Sequence, residues 1–257
     1  MSSTDPHSPP QQTVEFRFYA ELNDFLPLHR RKRAFLYTFS GAPAVKDAIE
    51  AIGVPHTEID VILADGRSVG FDHHLTDGER IAVYPVFERL DVSPLTRLRP
   101  APLRKTRFVA DVHLGTLARY LRLIGFDTLW RNDLDDVEII DIAARDKRII
   151  LTRDRGILRD GRVTHGYWLR ATEPLAQLEE VVAALQLGGG IRPFTRCMHC
   201  NGTLRTIERR EAARFVPLRV FFAHRQYGKC DACGRVYWSG SHRVKLNRII
   251  ARARAAS

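Results

Sequence analysis

The chain has 257 residues, 44% of them hydrophobic and 27% charged, a balance that suits a globular protein of two or three domains. No run of 18 apolar residues occurs, so no membrane-spanning helix is expected and a membrane partner is set aside. The formal net charge of +10 is uneven: residues 190–257 carry 15 Lys/Arg against 3 Asp/Glu, a local +12, which leaves −2 for the rest. Such a basic segment is an electrostatic footprint for nucleic acid, with a merely soluble surface or an anionic protein partner as the alternatives. The four cysteines form two C-x-x-C pairs, which points to metal in a reducing, cytoplasmic setting rather than to disulfides.

In chain order, residues 1–13 (MSSTDPHSPPQQT) are polar and proline-rich and read as a disordered tail without a signal-peptide core. Residues 14–88 read as a small α+β unit. Val14, Phe16 and Phe18 alternate with Glu15, Arg17 and Tyr19, as a half-buried strand requires. Ala34–Phe39 is a second strand, and a helix runs from Pro43 through Val45, Ala48, Ile49 and Ile52 to a stop at Gly53. Ile59–Leu63 is a strand that turns through Ala64-Asp65-Gly66-Arg67 into a short one, and Ile81–Phe87 closes the set. With TVEFRFYAELNDFL and LADGRSVGFDHHLTDGERIAVYPV, this order resembles the ubiquitin-like β-grasp fold, in particular its sulfur-carrier branch. Sulfur carriers end in an exposed Gly-Gly. Here the last strand runs into Pro85-Val86-Phe87-Glu88-Arg89 with no such tail, so docking a protein partner or scaffolding fits better than carrying sulfur.

Residues 89–106 hold three prolines among many charges and read as a linker. Residues 107–188 then alternate strand and helix, the signature of an α/β domain with a parallel sheet. Strand 107–110 precedes a helix with the stripe Leu114, Leu117, Ala118, Leu121 and Ile124, stopped by Gly125. Asp127–Trp130 is a strand. Helix 137–146 is expected to bury Val137, Ile140 and Ala144, and Arg148–Leu151 reads as a buried central strand. Val163–Leu169 is a further strand, Pro174–Leu187 an amphipathic helix, and Gly188-Gly189-Gly190 a hinge into the basic module at 189–257.

Three carboxylates fall where such a sheet gathers its ligands. Asp111 closes the first apolar run, Asp136 opens the helix leading to the central strand, and Asp154 follows that strand within Thr152-Arg153-Asp154-Arg155. The C-terminal ends of parallel strands share one edge, where acids repel unless a cation such as Mg²⁺ or Mn²⁺ sits between them. Each aspartate also has a local explanation: Asp111 as a helix cap, Asp136 or Asp135 with Glu138 as a capping box, Asp154 in an Asx-turn. Arg153 and Arg155 could neutralise phosphate charge, or pair with the same acids. Arg119 and Arg122, on one helix, read as a solvated face or as contacts to an RNA backbone.

The pattern of Asp111, Asp136, Thr152 and Asp154 resembles that of PIN-like nucleases. DVHLGTLARYLRLIGFDT with IILTRDRGIL resembles more closely the mut-seven C-terminal RNase domain family, whose members often carry a β-grasp domain in front and a zinc ribbon behind. The resemblance implies a metal-dependent ribonuclease with Asp111, Asp136 and Asp154 as Mg/Mn ligands. An additional acid usual in PIN proteins has no clear match here, although Asp133 or Asp135 could stand in, which leaves one or two ions open.

Cys197-x-x-Cys200 and Cys230-x-x-Cys233 are separated by 29 residues. Four thiolates suit tetrahedral, structural Zn²⁺; a redox pair is the alternative. Between them Arg205, Arg209, Arg210, Arg225 and Lys229 alternate with aromatic residues, a composition able to hold RNA phosphates and stack bases. The expectation is a cytoplasmic ribonuclease of three parts: a β-grasp domain, a PIN-like parallel-sheet domain and a basic four-cysteine zinc ribbon that grips RNA. The alternatives are a non-catalytic RNA- or ribosome-associated adaptor and, less favoured, a toxin-like nuclease.

Overall fold

The apolar alternation at the start of the chain produces a strand that is buried on one face only. The computed structural model describes residues 11–85, 106–240 and 243–256. The expected tail and linker therefore lie almost wholly outside the described residues, as does the end of the first domain at 86–88, although Gln12 and Thr13 already belong to the first strand. The chain divides into two compact units, one of residues 1–102 with 155–166, the other of 103–154 with 167–257.

The first unit is a five-stranded sheet carrying one helix. Its strands are β1 (Gln12–Phe18), β2 (Phe35–Phe39), β3 (Ile59–Ala64), β4 (Arg67–Val69) and β5 (Arg80–Pro85), in the order β2-β1-β5-β3-β4. β1 and β5 are parallel and the other pairs antiparallel, the arrangement of a ubiquitin-like β-grasp. Val14, Phe16 and Phe18 of β1 face inward with Val45, Ala48 and Ile49 of α1 (Val45–Ile52). Burying side chains of this size contributes roughly 1.5–3 kcal/mol each. Segment 155–166 belongs to this same unit. Ile157, Leu158 and Val163 are buried, the Arg159 guanidinium donates to the Gly53 carbonyl (3.1 Å), and His56 Nε2 meets the Val163 carbonyl (2.9 Å) while its Nδ1 meets Glu50 (2.6 Å).

The second unit is a parallel-sheet α/β fold. Its strands β6 (Arg107–Ala110), β7 (Asp127–Leu129), β8 (Ile149–Thr152) and β9 (Gly166–Trp168) lie in the order β7-β6-β8-β9, with β6 parallel to both β7 and β8. Phe108, Val109, Ile150 and Leu151 are fully buried, as expected of strands covered on both faces. The helices are α2 (Gly115–Leu123), α3 (Asp136–Asp146) and α4 (Pro174–Ala184). α2 ends at Gly125, whose φ of +104° excludes most side chains; an added Cβ would also sit 2.3 Å from the Arg192 carbonyl oxygen. On α3 the buried residues are Ile139, Ile140, Ile142 and Ala143, whereas Val137 is 55% exposed. The expected face was misplaced because Val137 sits in the capping turn, one step before the helix meets the sheet.

Past α4 the glycine run forms an ordered 3-10 turn, Leu187–Gly190, rather than a hinge, and Gly190 lies against the Phe126 ring. A small antiparallel sheet follows, β10 (Leu204–Ile207), β11 (Tyr227–Cys230) and β12 (Val236–Trp238), with α5 (Arg209–Ala212) and α6 (Leu218–Ala223) between its first two strands. A last helix, α7 (Arg243–Ala255), was not anticipated, because its arginines obscure a narrow apolar stripe. Ile249, Ile250 and Ala253 of α7 join Leu117, Leu121, Leu178 and Val181 in one core, and Arg252 of α7 pairs with Glu179 of α4. Among the described residues no helix is long and apolar enough to cross a membrane.

Candidate functional site

Asp111 follows the last residue of β6, and its amide donates to the Leu151 carbonyl of β8 (3.0 Å). That bond fixes the first acidic turn to the end of the neighbouring parallel strand. Thr152, fully buried at the end of β8, donates its hydroxyl to Asp111 Oδ2 (2.7 Å) and accepts the amide N–H of Asp154 (2.8 Å). One hydroxyl thereby links two of the three aspartates. The turn that carries Asp154 is tied to Thr152 through the Asp154 amide, and Asp111 makes no side-chain cap.

Asp136 is the first residue of α3. The capping role belongs to Asp135, which accepts the Glu138 amide (2.8 Å) while Glu138 accepts that of Asp135 (3.2 Å). Asp136 is thereby left out of the cap. Burial, then the charges of Asp154, Asp111 and Asp135, push its carboxyl above the ordinary carboxylate range. Asp111 and Asp154 thus lie near enough to bear on Asp136 at the strand-end edge of the sheet. Acids so placed suit a hard divalent cation, but among the described residues the three are not drawn into one compact ligand set. Asp133 pairs with Arg131 (2.9 Å), so both candidates for a further acid have local partners.

Two tryptophans brace the loops that carry these acids, and neither was singled out in the sequence. Trp130 donates Nε1–H to the Val112 carbonyl (3.1 Å), and Trp168 donates to that of Arg153 (3.1 Å). Trp130 approaches so closely that a Cβ on Gly115 would fall 2.6 Å from its ring; Gly115 was the available sequence signal. The exposed Arg153 side chain makes no ion pair among the described residues. Arg155 belongs to the first unit, where its guanidinium lies over the Phe25 ring (4.9 Å from the centroid) and donates to the Asp24 carbonyl (3.3 Å). His113 is exposed.

The four cysteines are brought together. Their sulfurs all lie within 4.8 Å of one another, which among the described residues makes them the one compact set able to hold a metal ion. Cys197 and Cys233 sulfurs are 3.7 Å apart, and those of Cys200 and Cys230 3.4 Å, far from a disulfide. Tetrahedral Zn–S bonds of about 2.3 Å would place sulfurs roughly 3.8 Å apart, so the set fits such an ion. The first knuckle is bound to the parallel sheet. Arg122, 2% exposed, donates to the carbonyls of Thr128 (2.9 Å), His199 (2.9 Å) and Met198 (3.3 Å). Asn201 donates to Asp127 (2.7 Å) and accepts the Thr128 amide (3.0 Å). Both earlier readings of Arg122, solvated or on RNA, give way to this buried brace, whereas Arg119 is exposed.

Of the basic residues between the knuckles, Arg205 pairs with Glu211 (2.8 Å) and Asp231 (3.1 Å), and Lys229 pairs with Glu211 (3.2 Å). Arg209 lies over the Phe221 ring (4.3 Å). Arg210 and Arg225 are exposed and make no ion pair among the described residues.

Residues 11–91 match the model described as Mut7-C ubiquitin. The crystal structure of the small archaeal modifier protein 1 of H. volcanii is similar at 18% identity and a TM-score of 0.25, covering 30% of this chain and 99% of that one. That of SAMP1 from Haloferax volcanii is similar at 18% identity and 0.24, covering 30% and 97%. No curated protein matches. Residues 106–250, more than half of the sequence, match the model described as Mut7-C RNAse domain. With a β-grasp unit, a parallel sheet edged by three aspartates and a cluster of four cysteines, the chain belongs to the Mut7-C RNAse domain family.

Proposed function

We propose that the protein is a metal-dependent ribonuclease that hydrolyses RNA phosphodiesters at Asp111, Asp136 and Asp154. The observation that supports this reading is the charge of Asp154 and Asp111 bearing on Asp136 at the strand-end edge, with Asp111 held by Thr152. These side chains would hold Mg²⁺ or Mn²⁺, which when bound supplies a Lewis acid for the phosphodiester and an acidified water as nucleophile. The chain's own part is positional. Thr152 keeps Asp111 in one rotamer, and Trp130 and Trp168 hold the two loops against displacement. Arg153, exposed beside Asp154, is placed to neutralise charge that builds on the phosphate.

The four-cysteine set would hold structural Zn²⁺, and the basic module around it would grip RNA through Arg209, Arg210 and Arg225. Arg205 and Lys229 serve this less directly, since Glu211 and Asp231 together already neutralise them. The β-grasp unit would dock a protein partner, and the paired C-x-x-C cysteines favour a reducing, cytoplasmic setting. A second reading, a non-catalytic RNA adaptor, draws support from the engagement of Arg155 with Asp24 and Phe25.

The two readings separate on Asp154→Asn. For a nuclease, cleavage of a labelled RNA in Mn²⁺ falls by at least a hundredfold while RNA affinity is retained. An adaptor binds the same RNA with no metal-dependent cleavage in either form.

A further inference from the structure

We propose that the segment between the two knuckles is a platform on which unpaired RNA bases stack, with Phe222 as its principal ring. This deepens the RNA-directed reading above and rests on it. Phe222 is 73% exposed and Leu218, one helical turn earlier, 74%. Both lie on α6, which is held firmly from beneath. Ile207, Ala212, Val216, Val220 and Tyr227 form a small separate core, and the Tyr227 hydroxyl meets the His224 carbonyl (2.9 Å) and the Val220 carbonyl (3.1 Å). Phe221 turns the other way, under Arg209, and supports Phe222 edge-on with ring centroids 5.5 Å apart and planes at 77°. Phe215, half-exposed, carries the Lys229 ammonium 4.0 Å from its ring centroid. Two aromatic rings are thus presented to solvent on a buttressed surface.

The surrounding charge names the occupant. Arg210, Arg214, Arg219 and Arg225 are exposed and make no ion pair among the described residues, although Glu211 and Asp231 pair with other cations nearby. Unpaired guanidiniums beside open aromatic rings match a ligand that offers both phosphates and flat π-faces. A duplex hides its base faces within the stack, so the complementary form is a single strand. α6 has six residues, too few for a membrane-surface helix of useful apolar area. An acidic protein would satisfy the arginines but gives no particular use for the rings.

The test uses the full chain carrying Asp154→Asn, so that RNA survives, with binding read by fluorescence anisotropy at two salt concentrations. The probes are a labelled 12-nucleotide single-stranded RNA, the same strand in duplex, and a poly-glutamate peptide. We expect the single strand to bind at least tenfold tighter than the duplex. Phe222→Ala should weaken it about tenfold with the salt dependence unchanged, and Phe222→Trp should restore it. Arg214→Ala with Arg225→Ala should instead flatten the salt dependence. Equal affinity for duplex and single strand, or indifference to Phe222→Ala, overturns the platform. So does peptide binding as tight as RNA that is lost with Phe222→Ala, which would assign the surface to an acidic protein. Wild-type cleavage measured in parallel decides the nuclease reading separately.

Discussion

The Thr152 hydroxyl serves Asp111 and the Asp154 amide at once. Thr152→Val keeps the volume and removes both bonds, leaving a buried carboxylate oxygen and an N–H without partners, at a cost of about 1–3 kcal/mol. We expect cleavage to fall roughly 10- to 100-fold, as when a supporting hydrogen bond to a metal ligand is lost, and Thr152→Ser to recover most of it. A Thr152→Val enzyme of full activity would remove the threonine from the account. The raised value of Asp136 makes a second prediction. An acid whose folded-state pKa is raised weakens the fold above its unfolded value, and the penalty fades as pH falls through the raised value. Asp136→Asn should therefore raise the thermal midpoint in EDTA at neutral pH by about 1–2 °C, small because water screens the exposed carboxylate. The gain should shrink on acidification and reverse when Mg²⁺ or Mn²⁺ stabilises the wild type. That Asp111 and Asp154 follow strands and Asp136 opens a helix was legible because element ends are legible. The indole braces were not: Trp130 and Trp168 find carbonyls 18 and 15 residues away, and side-chain partners at that distance leave no periodic trace.

Among the elements, the junction of β7 with the first knuckle is the most informative. Asp127 accepts from Arg148 (2.7 Å) and Asn201 (2.7 Å), with Arg196 nearby (3.5 Å). Burial alone would raise its carboxyl, but these partners outweigh burial and hold it below the usual range. Its contribution to stability is accordingly present above the unfolded carboxylate value and is lost as pH falls through the depressed one. Asn201→Ala leaves the Thr128 amide and one Asp127 oxygen short of a partner and places alanine at φ +70°, where asparagine is better tolerated. A loss of about 1–3 kcal/mol is expected. Because the knuckle is part of the parallel-sheet unit, removing the metal of the four cysteines with a strong chelator should lower the melting of that whole unit, followed by circular dichroism. Loss confined to the β10–β12 ribbon would argue that the junction carries no load. Element types were readable from period and punctuation, as with Gly125 after α2. Faces were harder: α3 is turned by its capping box away from the stripe that Val137 suggested. α7 escaped because Ile249, Ile250 and Ala253 are too few to stand out among arginines.

For the whole molecule, the informative fact is that residues 155–166, which follow Asp154 in the chain, belong to the β-grasp unit. Ile157, Leu158 and Val163 are buried there and His56 and Gly53 accept or share its hydrogen bonds. A chain lacking residues 1–105 should therefore expose this segment, and limited proteolysis should cut at Arg155, Arg159 or Arg162 much faster than in the full chain. Equal resistance would show that the segment is held by other means. Domain order was legible from composition and turn residues, but a segment returning to an earlier domain was not, since its burial depends on partners about a hundred positions away. The local +12 near the C-terminus is shared between the ribbon and α7, and the pairing of Arg205 and Lys229 with Glu211 depended on strand register that charge counts do not reveal. Hydrolysis at three aspartates is tested by cleavage of mixed single-stranded and structured RNA across a Mn²⁺ and Mg²⁺ titration. The comparison is the full chain against the same chain with Asp111, Asp136 and Asp154 all changed to Asn. The account predicts metal-dependent cleavage by the first and none by the second, with both retaining RNA. Equal cleavage by both, or none by either while RNA is held, would contradict it.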